Sequence, residues 1–231
     1  MSNTNMKKHF SIKNFLTAEE LESILSYYDL LEQSVDYSNE QAKRKLMHYD
    51  DPDNTFMKDI IDPKIKQHFP NGFVSASAFT NWNKNVELHT DAWQPDEDQN
   101  SILGYALLVP LQINPVEEKT STIIFDQYCE GPTVTVKKFD SNEKWNIAKY
   151  VDPSSDKILN KKSNGIDKEF YRNYLNHIDH ESLKYFSVAN RYEWVLGEAI
   201  VWGRDLFHTS EAFNQRLKNK LHMIFLINFH H

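Results

Sequence analysis

One cysteine in 231 residues, Cys129, leaves no partner for an intrachain disulfide and points to a reducing compartment. Long apolar runs are missing too. No stretch approaches the roughly 18 to 20 apolar residues that cross a bilayer, so no membrane partner is expected. Met1 to Phe10 is polar and lacks the apolar core of a signal peptide, which makes the cytoplasm the expected location. Positive charge is in deficit, with 26 Lys and Arg against 33 Asp and Glu and a net charge of −7. A broad phosphate-binding surface is therefore disfavoured. No basic, aromatic-interleaved stripe is present, and nucleic acid is disfavoured as a partner. There is no internal repeat and no low-complexity tract.

What is present suits one globular domain over 1–231. Hydrophobic residues make up 40% of the chain, enough for a sizeable core. Thr17-Ala18-Glu19-Glu20 has the form of a capping box. After it, Leu21, Ile24, Leu25, Tyr28 and Leu31 recur at helical spacing, predicting a helix packed outside a sheet. Asp50 to Asn54 and Pro70-Asn71-Gly72 read as turns. Phe73 to Thr80 alternates like a strand. Strands are also expected at Ile102–Gln112, Thr120–Phe125, Thr133–Val136, Tyr192–Trp202 and Lys220–Phe229. Six or seven short strands with few long helices point to a mainly β sandwich or jelly roll. Residues 1–72 form an N-terminal helical support region. Residues 139–185 interrupt the β pattern with a charged, partly helical insert around Lys168–His177. It reads equally as a lid over a site or as a surface elaboration.

His89-Thr90-Asp91 and the distant His208 supply two imidazoles and one carboxylate. That is the facial ligand set that holds non-haem Fe(II) and leaves the opposite positions open. His89 and Asp91 are two apart, so on an extended segment their side chains point the same way. His208 closes the run Glu198–His208, which starts after the turn-forming Gly197. The apolar strand that follows begins at Lys220, twelve residues past His208.

This ordered set resembles the Fe(II)/2-oxoglutarate-dependent oxygenase superfamily. Its pattern is His-x-Asp/Glu, a long gap, a distal His, and an Arg or Lys some ten residues on. The resemblance spans roughly 73–229, apart from about 136–192. It implies a double-stranded β-helix, a jelly roll of cupin-like form, with flanking helices. It also implies Fe(II), 2-oxoglutarate and O2 as cofactor and co-substrates. His89, Asp91 and His208 would then be the catalytic metal ligands. The implied reaction is oxidation of a C–H bond, hydroxylation by default, with release of succinate and CO2. N-demethylation, desaturation and ring formation are variants. The preserved Asp91 disfavours halogenation, because the related halogenases replace that carboxylate.

The distal carboxylate of 2-oxoglutarate would need a fixed cation. Lys220 stands where the superfamily places one, with Arg216 and Lys218 as rivals in the same loop. Tyr105 is a candidate hydroxyl donor to the co-substrate, or a core aromatic. Asn83, Asn81 and Trp93 are candidates to line the substrate pocket. His222 shares a strand face with Lys220. Arg204 and Asp205 either orient the distal ligand or form a solvated turn. His177 and His180, on the inserted segment at the spacing of neighbours on a helix, are a minor candidate for a second metal site. The acidic Asp96-Glu97-Asp98 leans towards a neutral or cationic substrate, either a small molecule or a peptide side chain. Two other classes remain open. One is a cupin-like metalloenzyme without 2-oxoglutarate, although no His-x-His pair is present. The other is a non-catalytic jelly-roll binding module.

Overall fold

The computed structural model describes residues 9–32, 42–47, 49, 51, 55–92, 101–136, 150–162 and 165–230. The elements run β1 (His9–Ile12), α1 (Ala18–Leu30), β2 (Ala42–Leu46), α2 (Phe56–His68), β3 (Gly72–Trp82), β4 (Ser101–Asn114), β5 (Ser121–Cys129) and β6 (Thr135–Val136). They continue with β7 (Tyr150–Val151), β8 (Ile158–Leu159), α3 (Lys168–Phe170), β9 (Val188–Glu193), β10 (Ala199–Gly203), β11 (Leu206–Ser210) and β12 (Asn219–His230).

Two sheets face each other. The larger has the order β1-β10-β4-β12-β3-β2 and is antiparallel throughout. In the smaller, β5 is flanked by β11 on one edge and by β9 and β8 on the other. Isolated bridges at His89, to His208 and to Thr135, extend it towards the parallel pair β6-β7. From β9 to β12 consecutive strands alternate between the two sheets, as in a jelly roll. Tyr192–Trp202, expected as one strand, is two strands in different sheets. Gly197, at φ 76, makes the turn between them, a conformation that glycine adopts without steric cost.

Strand alternation decides what faces what. On β12, Leu221, Met223, Phe225 and Ile227 join the outer core, while Lys220, His222, Ile224 and Leu226 face the space between the sheets. On β4, Tyr105, Leu107, Val109 and Leu111 are outer. The outer face is covered by α1 and α2 through Ile24, Met57, Ile61 and Ile65. Thr17 caps α1: its hydroxyl accepts from Glu20 N at 3.2 Å, and the Glu20 carboxylate accepts from Thr17 N at 2.8 Å. Between the sheets lie Ala106, Leu108, Ile124, Ile200 and Trp202.

The described part of the 139–185 segment backs the smaller sheet. Leu175, Ile178 and Leu183, with Phe186 just past the segment, pack with Ile123, Phe125 and Phe207. The helix expected at Lys168–His177 is three α-helical residues running on into a π-helical turn, Tyr171–Leu175. None of the described residues of this segment lines the central cavity. The turn expected at Asp50–Asn54 lies, apart from Asp51, outside the described residues, as does the acidic stretch Asp96–Asp98.

Candidate active site

The segment Val86–Asp91 runs beside β11 and is bridged to it at His89. His89 N donates to His208 O at 3.1 Å and His208 N donates to His89 O at 2.9 Å, a reciprocal antiparallel pair. Leu88 and Thr90 are buried, while His89 and Asp91 turn to the cavity. The two-residue spacing therefore puts both ligand candidates on one side, opposite His208.

The three side chains converge. His208 Nε2 is 3.2 Å from Asp91 Oδ2, and His89 Nε2 is 3.8 Å from Asp91 Oδ1. All three ligand atoms lie within 4.8 Å of one another, and no other such group occurs among the described residues. Bonds of about 2.1 Å to a metal in a facial array would set neighbouring ligand atoms roughly 3 Å apart, so this spacing fits. The tautomers fit as well. His89 Nδ1 donates to Glu87 O at 2.7 Å, and His208 Nδ1 donates to Leu206 O at 3.2 Å. A carbonyl only accepts, so both Nε2 atoms present a lone pair to the centre. Burial pulls His208 down to about 4, with the Asp91 carboxylate opposing, so the ring is neutral at physiological pH. Trp202 packs on it with ring centroids 4.6 Å apart.

A cavity of about 320 Å³ opens from this triad. Its walls include Ala78, Leu108, Ile224, Leu226 and Trp202, and at one end Thr122, Trp194, Ser210, Lys220 and His222. Lys220 is 1% exposed. Its Nζ lies 4.9 Å from the ring centroids of both Trp194 and Phe213 and donates to Thr120 Oγ1 at 3.3 Å. Burial pushes this ammonium down to about 7, with Glu211 opposing. His222 is held at about 3 by burial, then by Lys220 and Arg44, and is neutral. Three buried polar atoms of the lining, Trp202 Nε1, Ser210 Oγ and His222 Nδ1, have no hydrogen-bond partner among the described residues. Such groups cost about 1–3 kcal/mol each unless satisfied, so they point to a polar ligand.

Other expected site residues lie elsewhere. Tyr105 is on the outer face of β4, against Phe10, Phe69 and Phe229, because odd-numbered residues of this strand point away from the cavity. Arg216 has 84% of its side chain exposed, 3.9 Å from Glu118, and Lys218 is also exposed. The turn before β12 faces solvent, and among these three cations Lys220 alone lines the cavity. Asn81 pairs with the outer-facing Leu221 and Asn83 is exposed past the end of β3, while Thr80 and Trp82 line the cavity instead. Trp93 lies outside the described residues. His177 lies 3.3 Å from Val86 O and His180 packs on Tyr171, so the two do not converge. Arg204 is fully buried rather than solvated. Sequence reasoning missed Arg44, which lines the cavity from β2, and also Thr122 and Ser210. Ser210, two past His208 on one strand, carries a signal that could have been read.

No family model and no curated protein matches the chain. Solved structures do. One is HygX from Streptomyces hygroscopicus with nickel, 2-oxoglutarate and hygromycin B bound: TM-score 0.51, 12% identity, covering 96% of this chain and 83% of that one. A second is the non-haem alpha ketoglutarate dependent carbocyclase SnoK from nogalamycin biosynthesis: TM-score 0.53, 10% identity, 96% and 80% covered. A third is the epimerase SnoN in complex with Fe3+, alpha ketoglutarate and nogalamycin RO: TM-score 0.52, 10% identity, 96% and 79% covered. Likeness at this identity establishes the fold: the chain is a double-stranded β-helix of the kind these structures share.

Proposed function

We propose that the chain is a non-haem Fe(II)- and 2-oxoglutarate-dependent dioxygenase acting on a small molecule, with hydroxylation of a C–H bond the simplest outcome. One observation carries the reading. A two-histidine, one-carboxylate face and a buried lysine line the same cavity. The first suits Fe(II) with open positions, and the second suits the far carboxylate of a dianion. HygX binds hygromycin B beside 2-oxoglutarate, which supports a small-molecule substrate. SnoK is a carbocyclase and SnoN an epimerase, so ring formation and epimerisation are variants of the reaction to be tested. Residues 1–231 act as one oxygenase domain in the cytoplasm, with 1–72 as the outer support and the described part of 139–185 as a buttress.

In this reading His89 and His208 offer Nε2 and Asp91 its carboxylate to the metal. Fe(II) bound there with 2-oxoglutarate and O2 would supply the oxidant, with succinate and CO2 as co-products. Lys220 anchors the far carboxylate, and that contact holds its proton in place by stabilising the charged form. Ser210 adds a hydroxyl at the same end. Thr122 accepts the Trp194 indole N–H at 2.9 Å, which leaves its own hydroxyl proton to donate into the cavity. Trp202, Leu108, Ile224 and Leu226 exclude water from the middle of the cavity, which strengthens every charged contact there.

Succinate formation under air is the test. Turnover of 2-oxoglutarate that needs both Fe(II) and His208, and rises with the true substrate, is the expected result. Equal turnover by His208→Ala contradicts the reading.

A further inference from the structure

Arg204 is 0% exposed, an unusual place for a guanidinium. Its Nε donates to Asp91 O at 2.8 Å and its Nη2 donates to Ala92 O at 2.8 Å. Its Nη1 donates to Asn228 Oδ1 at 2.7 Å and to Ser75 Oγ at 3.4 Å. The main chain reciprocates: Asp91 N donates to Arg204 O at 2.9 Å, and Arg204 N donates to Gly104 O at 3.2 Å. The side chain therefore ties the Asp91 segment to β3 and β12, and the main chain of the same residue joins it to β4.

We propose that Arg204 is a positioning residue for the metal site, fixing the main chain from which the Asp91 carboxylate is presented. The inference rests on the metal reading above. In an extended strand, successive carbonyls point to opposite sides. A planar group that holds the carbonyls of both Asp91 and Ala92 fixes the two successive peptide units that carry the Asp91 side chain. Their orientation sets the direction of the Asp91 side chain relative to His89 and His208. Arginine suits this task because its donors form a rigid fork, whereas lysine offers a point charge on a flexible stem. Removing the fork frees these peptide units and lets the carboxylate swing away from the two imidazoles.

Calorimetric titration of the metal-free full chain with Ni(II) tests this, read beside thermal unfolding of the same samples. Arg204→Met is expected to weaken Ni(II) binding about 10- to 100-fold, the usual range for residues that orient a ligand. Arg204→Lys keeps one donor and the charge, and is expected to recover part of the loss. Ile61→Ala, under α2 on the far side of the larger sheet, controls for stability: it lowers the melting temperature and leaves Ni(II) affinity unchanged. Binding by Arg204→Met within about twofold of wild type overturns the proposal, and so does an equal loss in Ile61→Ala. If Arg204→Met does not fold, Arg204→Lys decides: affinity about threefold or more weaker supports the role, and wild-type affinity overturns it. Wild type that takes up no Ni(II) sinks the metal reading itself. Wild type that binds while Arg204→Met binds equally well sinks this inference alone.

Discussion

Replacing Lys220 by Met should make the protein more stable and less able to bind 2-oxoglutarate. Met keeps the apolar stem against Trp194 and Phe213 and removes the ammonium. An ordinary lysine keeps its proton to 10.5, whereas burial brings Lys220 to about 7. Below about 7 the native and unfolded chains are both charged, and the native state carries the whole cost of a buried cation. Between about 7 and 10.5 the unfolded chain binds the extra proton, so wild-type stability climbs with pH across that window. Swapping a buried charge for an apolar side chain of similar volume is typically worth about 1–4 kcal/mol. Near pH 6 that gain corresponds to a rise of roughly 2–16 °C in melting temperature for a chain of this size. The gain should shrink as pH approaches 10.

The loss on the binding side is as large. A charge-assisted contact contributes about 1.5–3 kcal/mol, so 2-oxoglutarate should bind roughly 10- to 150-fold more weakly. Calorimetry of the Ni(II)-loaded protein reads this directly, and circular dichroism melts of the metal-free protein at pH 6 and pH 9 read the stability. Wild-type affinity in Lys220→Met refutes the anchoring role. A lower melting temperature at pH 6 refutes the assignment of a strained, functional cation.

The same titration predicts that 2-oxoglutarate affinity is flat below pH 7 and falls by about tenfold per unit above it, as the free protein loses the Lys220 proton; calorimetry across pH 6 to 9 checks this. Tyr105→Phe and Arg216→Ala should each leave 2-oxoglutarate affinity unchanged, since neither side chain lines the cavity, and a loss in either restores it as an anchor. Ile61→Ala should cost about 2–5 kcal/mol in denaturant unfolding, because Ile61 is fully buried under the larger sheet.

The fold class was legible because strand signals dominate from Phe73 onward and helical spacing is confined to the start and to the insert around Lys168–His177. Several elements were not, helix α2 and strand β2 among them. Helix α2 carries Met57, Ile61 and Ile65 at four-residue spacing, but Pro63 inside it reads as a breaker. Strand β2 contains Lys43-Arg44-Lys45, a charged edge that carries no apolar alternation. At the site, the period of two brings His89 with Asp91 and Lys220 with His222. The same period, applied to β4 and β3, would have turned Tyr105 and Asn81 away from the cavity. It could not reveal Arg204, whose partners are main-chain carbonyls from a distant segment, nor Arg44, which reaches the cavity through sheet order alone.

Anaerobic absorption spectroscopy of the Fe(II)-loaded protein, before and after 2-oxoglutarate, tests the central claim most directly. The account predicts a weak visible metal-to-ligand charge-transfer band in the wild type that is lost in Asp91→Ala. Fe(II) binding without such a band at saturating 2-oxoglutarate would contradict it.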